Sequence, residues 1–244
     1  MQTFEEVFSE AYEAIFPARP SQQALLARLA DRLPVTRWLE VGCGTGKHAR
    51  FLAARGMRVT AMDRDPLMIR LAGQAARRED LRIDFRVGDM TDPATYRGLA
   101  GRFGGASCLG NSLAYAVGPG AFDATVAYIG RSLASGGIFL AQTVNFDRTG
   151  SLHSFPPLTV PFSGMVFHRR YRERTDGLID FELELVPEGG GPSLRTSHTI
   201  RRMTMTDLEG AVQAAKLRVM ARWGDFDQRS WTPLAPTTIL LAGR

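Results

Sequence analysis

Cysteine is nearly missing: Cys43 and Cys108 are the only two in 244 residues. Two thiols cannot build a disulfide framework or a cysteine-rich zinc site, so no metal is expected and a reducing compartment is. Lysine is as scarce, with Lys47 and Lys216 alone. The net charge of +5 therefore rests on arginine, which reads as spread along the chain, often beside acids, as in Arg77-Arg78-Glu79-Asp80 and Arg172-Glu173-Arg174. That dispersal argues against a nucleic-acid partner, which would want its cations on one face. There is no long uninterrupted apolar run, and the amphipathic start MQTFEEVFSEAYEAIF carries Glu5, Glu6, Glu10 and Glu13 where a leader peptide needs basic residues. Neither a membrane nor a secretory route is expected, and the expected location is the cytoplasm.

What is there suits a globular core: 44% of residues are hydrophobic, enough for a single domain over 1–244. Residues 3–16 and 21–32 repeat apolar side chains at helical spacing between Pro17, Pro20 and Pro34, which predicts a helical cap over 1–34. Short apolar runs at 37–41, 58–62, 83–87, 106–109 and 137–144 then alternate with helical patterns at 47–55, 66–76 and 122–133. Such alternation predicts an α/β, doubly wound, mostly parallel sheet with its ligand at the carboxyl ends of the strands.

From about 150 to 203 the helical period disappears and an antiparallel β insertion is expected on the substrate side. Charge selects the register of its hairpin. A two-residue Asp176-Gly177 loop would mix Arg170, Arg172 and Arg174 with Ile179, Phe181 and Leu183 on one face. A three-residue loop with Gly177 left-handed sets Arg172 opposite Asp180, Arg170 opposite Glu182, His168 opposite Glu184, Tyr171 opposite Phe181 and Phe167 opposite Leu185. The second choice gives one charge-paired and one apolar face, and leaves Arg169 as a cation on the apolar one. A further strand is expected at 194–201, then a helix capped by Thr206 and Glu209 and running to about 215, then a closing antiparallel pair at 217–226 and 237–242.

The stretch WLEVGCGTGKHARFL, residues 38–52, has glycines at every second position after an apolar run. A phosphate-binding P-loop would need a glycine at Val41 and a hydroxyl at His48, and has neither. A dinucleotide fingerprint would want its third glycine one residue later than Gly46, and Glu40 would face the pyrophosphate. A turn with no ligand would lose backbone entropy at three glycines for nothing. A cationic nucleotide without phosphates suits both the bare loop and the acid.

On these residues, Glu40-Val41-Gly42-Cys43-Gly44-Thr45-Gly46 resembles the first motif of the class I S-adenosylmethionine-dependent methyltransferases. Asp63 follows 21 residues after Gly42 and, by the resemblance, accepts from the ribose hydroxyls. Val87-Gly88-Asp89-Met90 resembles the family's adenine-holding strand end. SCLGNSLAY (107–115) and QTVNFDR (142–148) resemble the glycine and sarcosine N-methyltransferases and their small-molecule relatives, in which an antiparallel insertion walls the acceptor.

The resemblance thus implies a Rossmann-like, seven-stranded methyltransferase fold and S-adenosyl-L-methionine as cofactor, held by Tyr12, Glu40, Gly42, Cys43, Gly44, Gly46, Asp63, Arg64, Met68, Asp89, Met90, Leu109, Gly110 and Asn111. A small-molecule acceptor, favoured as an amine, is expected against Asn145, Arg169 and Tyr171, with Tyr115 orienting and His153 as the first choice of base. An amine needs less help from a base than an alcohol or phenol. His48, His168 and His198 read as structural. An RNA or protein methyltransferase and a silent cofactor-binding module are the alternatives, and self-association is left open.

Overall fold

The structure, a computed structural model, describes residues 3–148, 156–160 and 164–244. Helices α1 (Phe4–Ile15) and α2 (Pro20–Ala30) come first. The chain then alternates β1 (Arg37–Val41), α3 (Lys47–Ala54), β2 (Arg58–Asp63), α4 (Pro66–Arg78), β3 (Asp84–Val87), β4 (Phe103–Cys108), α5 (Ala121–Ser132) and β5 (Leu133–Val144). Short 3-10 turns at Pro93–Tyr96 and Ser112–Tyr115 flank β4. After β5 come β6 (Leu158–Val160), β7 (Met165–Glu173), β8 (Leu178–Pro187) and β9 (Leu194–Arg201), then α6 (Met205–Ala214), β10 (Arg218–Trp223) and β11 (Thr237–Gly243).

Seven strands form the main sheet in the order β10-β11-β5-β4-β1-β2-β3. Strands β3, β2, β1, β4 and β5 are parallel, and β11 enters antiparallel to both β5 and β10. Chain order reverses between β1 and β4, so a crevice opens there at the carboxyl ends, where α/β sheets bind ligands. Both faces are covered: Leu39, Val41, Phe139 and Leu240 pack toward α5 and α6, while Trp38, Val59, Ala61 and Leu140 pack toward α2 and α3. Among the described residues no helix is long and apolar enough to cross a membrane.

The second sheet, β6-β7-β8-β9, is antiparallel and lies between β5 and α6 in the chain. Its central hairpin has the charge-selected register: Arg172 faces Asp180, Arg170 faces Glu182, His168 faces Glu184 and Tyr171 faces Phe181. Gly177 turns it at φ 79°. The apolar face buries Phe167, Leu183 and Leu185 against Phe4, Phe8 and Ile15 of α1. Helix α1 therefore lies between this insertion and the glycine loop.

Two local expectations are corrected. Helix α6 is capped by Thr204 and Asp207, two residues before the expected Thr206 and Glu209 pair. The earlier start puts Met205, Leu208, Ala211 and Val212 on the buried side, and Asp147 Oδ2 accepts from the Met205 amide at 2.8 Å. Strand β6 was not expected at all, because its three residues follow Pro156-Pro157 and are too few to show a period.

Candidate active site

Gly42, Gly44 and Gly46 all have positive φ, between 55° and 74°, so the loop takes a course that side chains disfavour. The Gly42 and Cys43 amides both donate to the Met62 carbonyl, at 2.8 and 3.0 Å, which ties the loop to the end of β2. There Asp63 spreads its carboxylate: Oδ2 accepts from the Gly44 amide at 2.8 Å and Oδ1 from the Asp65 amide at 3.0 Å. Burial nonetheless raises its pKa above the ordinary value, the two amides opposing.

Over the loop stands Tyr12 of α1. A Cβ added at Gly44 would lie 3.3 Å from its ring, a tight approach that adds to the positive φ in favouring glycine. Gly42 is required by Ser112, which a Cβ would meet at 2.6 Å. Together with the insertion these elements enclose a cavity of about 560 Å³, within the range of small-molecule sites. Of the expected residues, Tyr12, Gly42, Gly44, Asp63, Arg64, Met68, Asp89, Met90, Gly110, Asn111, Tyr115, Arg169 and Tyr171 line it.

Five others do not. Glu40 is buried behind the loop, 2% exposed, where the Ala49 amide at the start of α3 bonds to it and its Oε2 has no hydrogen-bond partner. Burial pushes its carboxyl up to about 8. Cys43 is buried in the apolar core beside α3. Gly46 makes room for Phe85, which a Cβ would meet at 2.8 Å, and leads into α3. Leu109 is likewise core. Asn145 is corrected from acceptor contact to loop clamp: its amide nitrogen donates to the Thr232, Pro233 and Ala235 carbonyls and its oxygen accepts from Asp147. His153 lies outside the described residues.

Several cavity residues escaped the sequence. Gln142 accepts from the Gly110 amide at 2.7 Å. Lys47 reaches across to donate to the Phe16 carbonyl, and burial lowers its pKa, with Glu40 opposing. Arg169 lies over the Phe16 ring at 5.5 Å, and Arg19 acts electrostatically on both Lys47 and Arg169. A cationic corner therefore surrounds the end of α1. Opposite it, Arg64 stacks on Tyr115 at 5.0 Å and Tyr115 meets His198 edge-on at 5.8 Å. Burial pushes the Tyr115 phenol up to about 12, so it stays protonated at neutral pH. His48, by contrast, is 4% exposed and is held down to about 3 by burial and then by Lys47, so it is a neutral packing residue behind the loop.

The residues present fit a nucleoside cation. Asp63 holds its carboxylate at the cavity wall, the glycine cradle admits nothing bulkier than backbone, and Glu40 offers an uncompensated carboxyl oxygen behind it.

Residues 39–137 match a family described as a methyltransferase domain. Magnesium-protoporphyrin O-methyltransferase of Rhodobacter capsulatus is 38% identical over 97 residues, 38% of this chain and 43% of that protein, so the chain matches less than half the length of this relative. An S-adenosylmethionine-dependent methyltransferase from Clostridium acetobutylicum superposes with a TM-score of 0.81 at 14% identity, covering 98% of this chain and 97% of that one. CalS10, an amino pentose methyltransferase from Micromonospora echinaspora, superposes at 0.73 with 22% identity over 100% and 99%. Residues 39–137 thus resemble a methyltransferase domain, and the chain as a whole shares the fold of solved S-adenosylmethionine-dependent methyltransferases.

Proposed function

We propose that this chain transfers a methyl group from S-adenosylmethionine to the nitrogen of a small-molecule amine. The observation that carries the cofactor is the pairing of the glycine cradle under Tyr12 with Asp63 at the end of β2. The amine rests on the insertion, since CalS10, which resembles the chain over its whole length, is an amino pentose methyltransferase, whereas magnesium-protoporphyrin and ubiquinone biosynthesis O-methyltransferases match over 97 and 83 residues.

When bound, the cofactor supplies a methyl already activated on a sulfonium. The protein's part is then largely positioning, because holding donor and acceptor in line supplies much of the rate. Asp63 would accept from the ribose hydroxyls, Asp89 and Met90 would hold the adenine end, and Arg19 and Lys47 suit the methionine carboxylate. Tyr115 stays a neutral donor beside the acceptor, and Arg169, a cation beside Leu183 on the apolar face, suits an anionic group on that acceptor. The resemblance to the glycine and sarcosine group supports an amine of that class, with Arg169 as the candidate for its carboxylate.

Isothermal titration tests the reading. S-adenosylmethionine should bind and NADH should not, and Asp63→Asn should weaken binding by roughly 10- to 100-fold, as expected for charged hydrogen bonds of about 1.5–3 kcal/mol. Binding of NADH alone would overturn it.

A further inference from the structure

We infer that His198 is the proton acceptor of the reaction, taking the proton from the acceptor's ammonium so that its nitrogen can attack. The inference rests on the proposed amine methylation and adds a catalytic residue to it.

The register of the insertion puts Tyr171, Phe181 and His198 in one row across β7, β8 and β9, on the face turned to the cavity, and all three line it. The imidazole is half-buried and held against Tyr115, which Arg64 in turn covers. No hydrogen bond among the described residues takes either ring nitrogen. Its charged and titratable neighbours are Arg64 from the loop after β2, Tyr115 from the turn after β4 and Glu5 from α1. Burial and Arg64 favour the neutral ring, while Glu5 favours the imidazolium that would form on accepting a proton.

Among the described residues the competitors are worse placed. His168 lies on the charge-paired face opposite Glu184, and His48 is sealed behind the glycine loop. Asp63 is committed to two backbone amides and Asp89 to Thr91, both at the cofactor end. Tyr115 is too weak an acid to be ionised at neutral pH.

The step balances. The ammonium gives one proton to a ring nitrogen of His198 and becomes a neutral amine. The amine's lone pair forms the new C–N bond, and the electron pair of the broken S–C bond stays on sulfur, which becomes a neutral thioether. The positive charge lost from sulfur appears on the methylated nitrogen, and His198 leaves the cycle by giving its proton to water. Burial beside Arg64 and Arg169 lowers the bound ammonium's own pKa, which brings the two groups closer.

The test uses the full chain with saturating S-adenosylmethionine and glycine, glucosamine and tyramine as acceptor probes, following kcat/KM from pH 5.5 to 10. In wild type the acid limb should fall at the histidine's pKa. In His198→Asn and His198→Gln it should move up toward the free amine's pKa, with a loss of ~100-fold at pH 7 that shrinks to a few-fold at pH 9.5. Titration calorimetry should find S-adenosylmethionine binding unchanged in both. In cofactor-free protein, NMR should assign to His198 an imidazole titrating below the ordinary histidine value, and lower still in Glu5→Gln. A loss uniform across pH, or an acid limb that does not move, overturns the inference and leaves the functional reading standing. Wild-type protein that binds the cofactor but methylates none of the three probes overturns both.

Discussion

Glu40 is an acid placed where water does not reach it, behind the glycine loop, and a cation bound across that loop should draw off its proton. With its pKa at about 8, the carboxyl is mostly protonated at pH 7, and a cation arriving on the other side of the loop favours the carboxylate. Binding of S-adenosylmethionine at pH 7 should therefore release a proton, up to ~1 per site, measurable by calorimetry in buffers of different ionisation enthalpy. Glu40→Gln should abolish the release. The same shift has a stability sign. The folded-state pKa is raised, so the stabilisation is complete below the ordinary carboxylate value and is lost as pH rises through about 8. The thermal midpoint of cofactor-free protein should fall over that window, and less so in the Gln variant.

At this scale the sequence was readable where a motif fixes backbone, and misleading where it only fixes neighbourhood. Gly42, Gly44 and Asp63 reach the cavity because the turn itself builds it. Cys43 and Leu109 sit within the same motifs but are buried in the core, and Gly46 packs against Phe85, because the loops turn away from the cavity at those positions. Arg19, Lys47, Gln142 and His198 carry no local signal, because separate elements bring them to the cavity.

Among the elements, the hairpin was legible to the residue because opposite charges cannot be exchanged for apolar pairs without cost on both faces. The cap of α6 was not, since Thr204 and Thr206 each have an acid three residues on and only the burial of Met205 and Leu208 chooses between them. Another cap had no sequence signal. Arg244, just past β11, donates through Nη1 to the carbonyls of Gly130 at 3.3 Å and Arg131 at 3.1 Å, and to Leu133, where α5 ends. It ties the last strand's end to the helix terminus, adding to the bonds that the Gly130 carbonyl accepts from the Leu133 amide and the Arg131 carbonyl from the Gly101 amide. Arg244→Ala should cost ~1–2 kcal/mol in urea denaturation, in line with loss of charged hydrogen bonds, and leave cofactor affinity unchanged. A shift in affinity without one in stability would contradict the assignment.

For the molecule as a whole, the alternation of strands and helices announced the parallel sheet, and the loss of period after 150 announced the insertion. What the linear pattern hid is that arginines spaced along the chain gather: Arg37, Arg58, Arg70, Arg77, Arg82, Arg86 and Arg102 line one cleft by β1–β3, with Asp84 the only acid lining it among the described residues. Dispersal in sequence is therefore not dispersal in space. The packing of helix α1 on the insertion is the other global fact the sequence could not supply: Phe8 meets the insertion while Tyr12 stands over the glycine loop.

Preference for arginine over lysine has a practical corollary for chemistry done on this protein. Lys47 and Lys216 are its only primary amines on side chains; Lys216 is exposed, while Lys47 lines the cavity with its pKa lowered by burial. An amine-selective acylating reagent applied at pH 8 should mark Lys216 whether or not ligand is present, and should mark Lys47 only until S-adenosylmethionine covers it. Peptide mass mapping of those two sites then reads occupancy against an internal standard, with no acceptor required; equal labelling of Lys47 with and without cofactor would mean that the methionine end lies elsewhere.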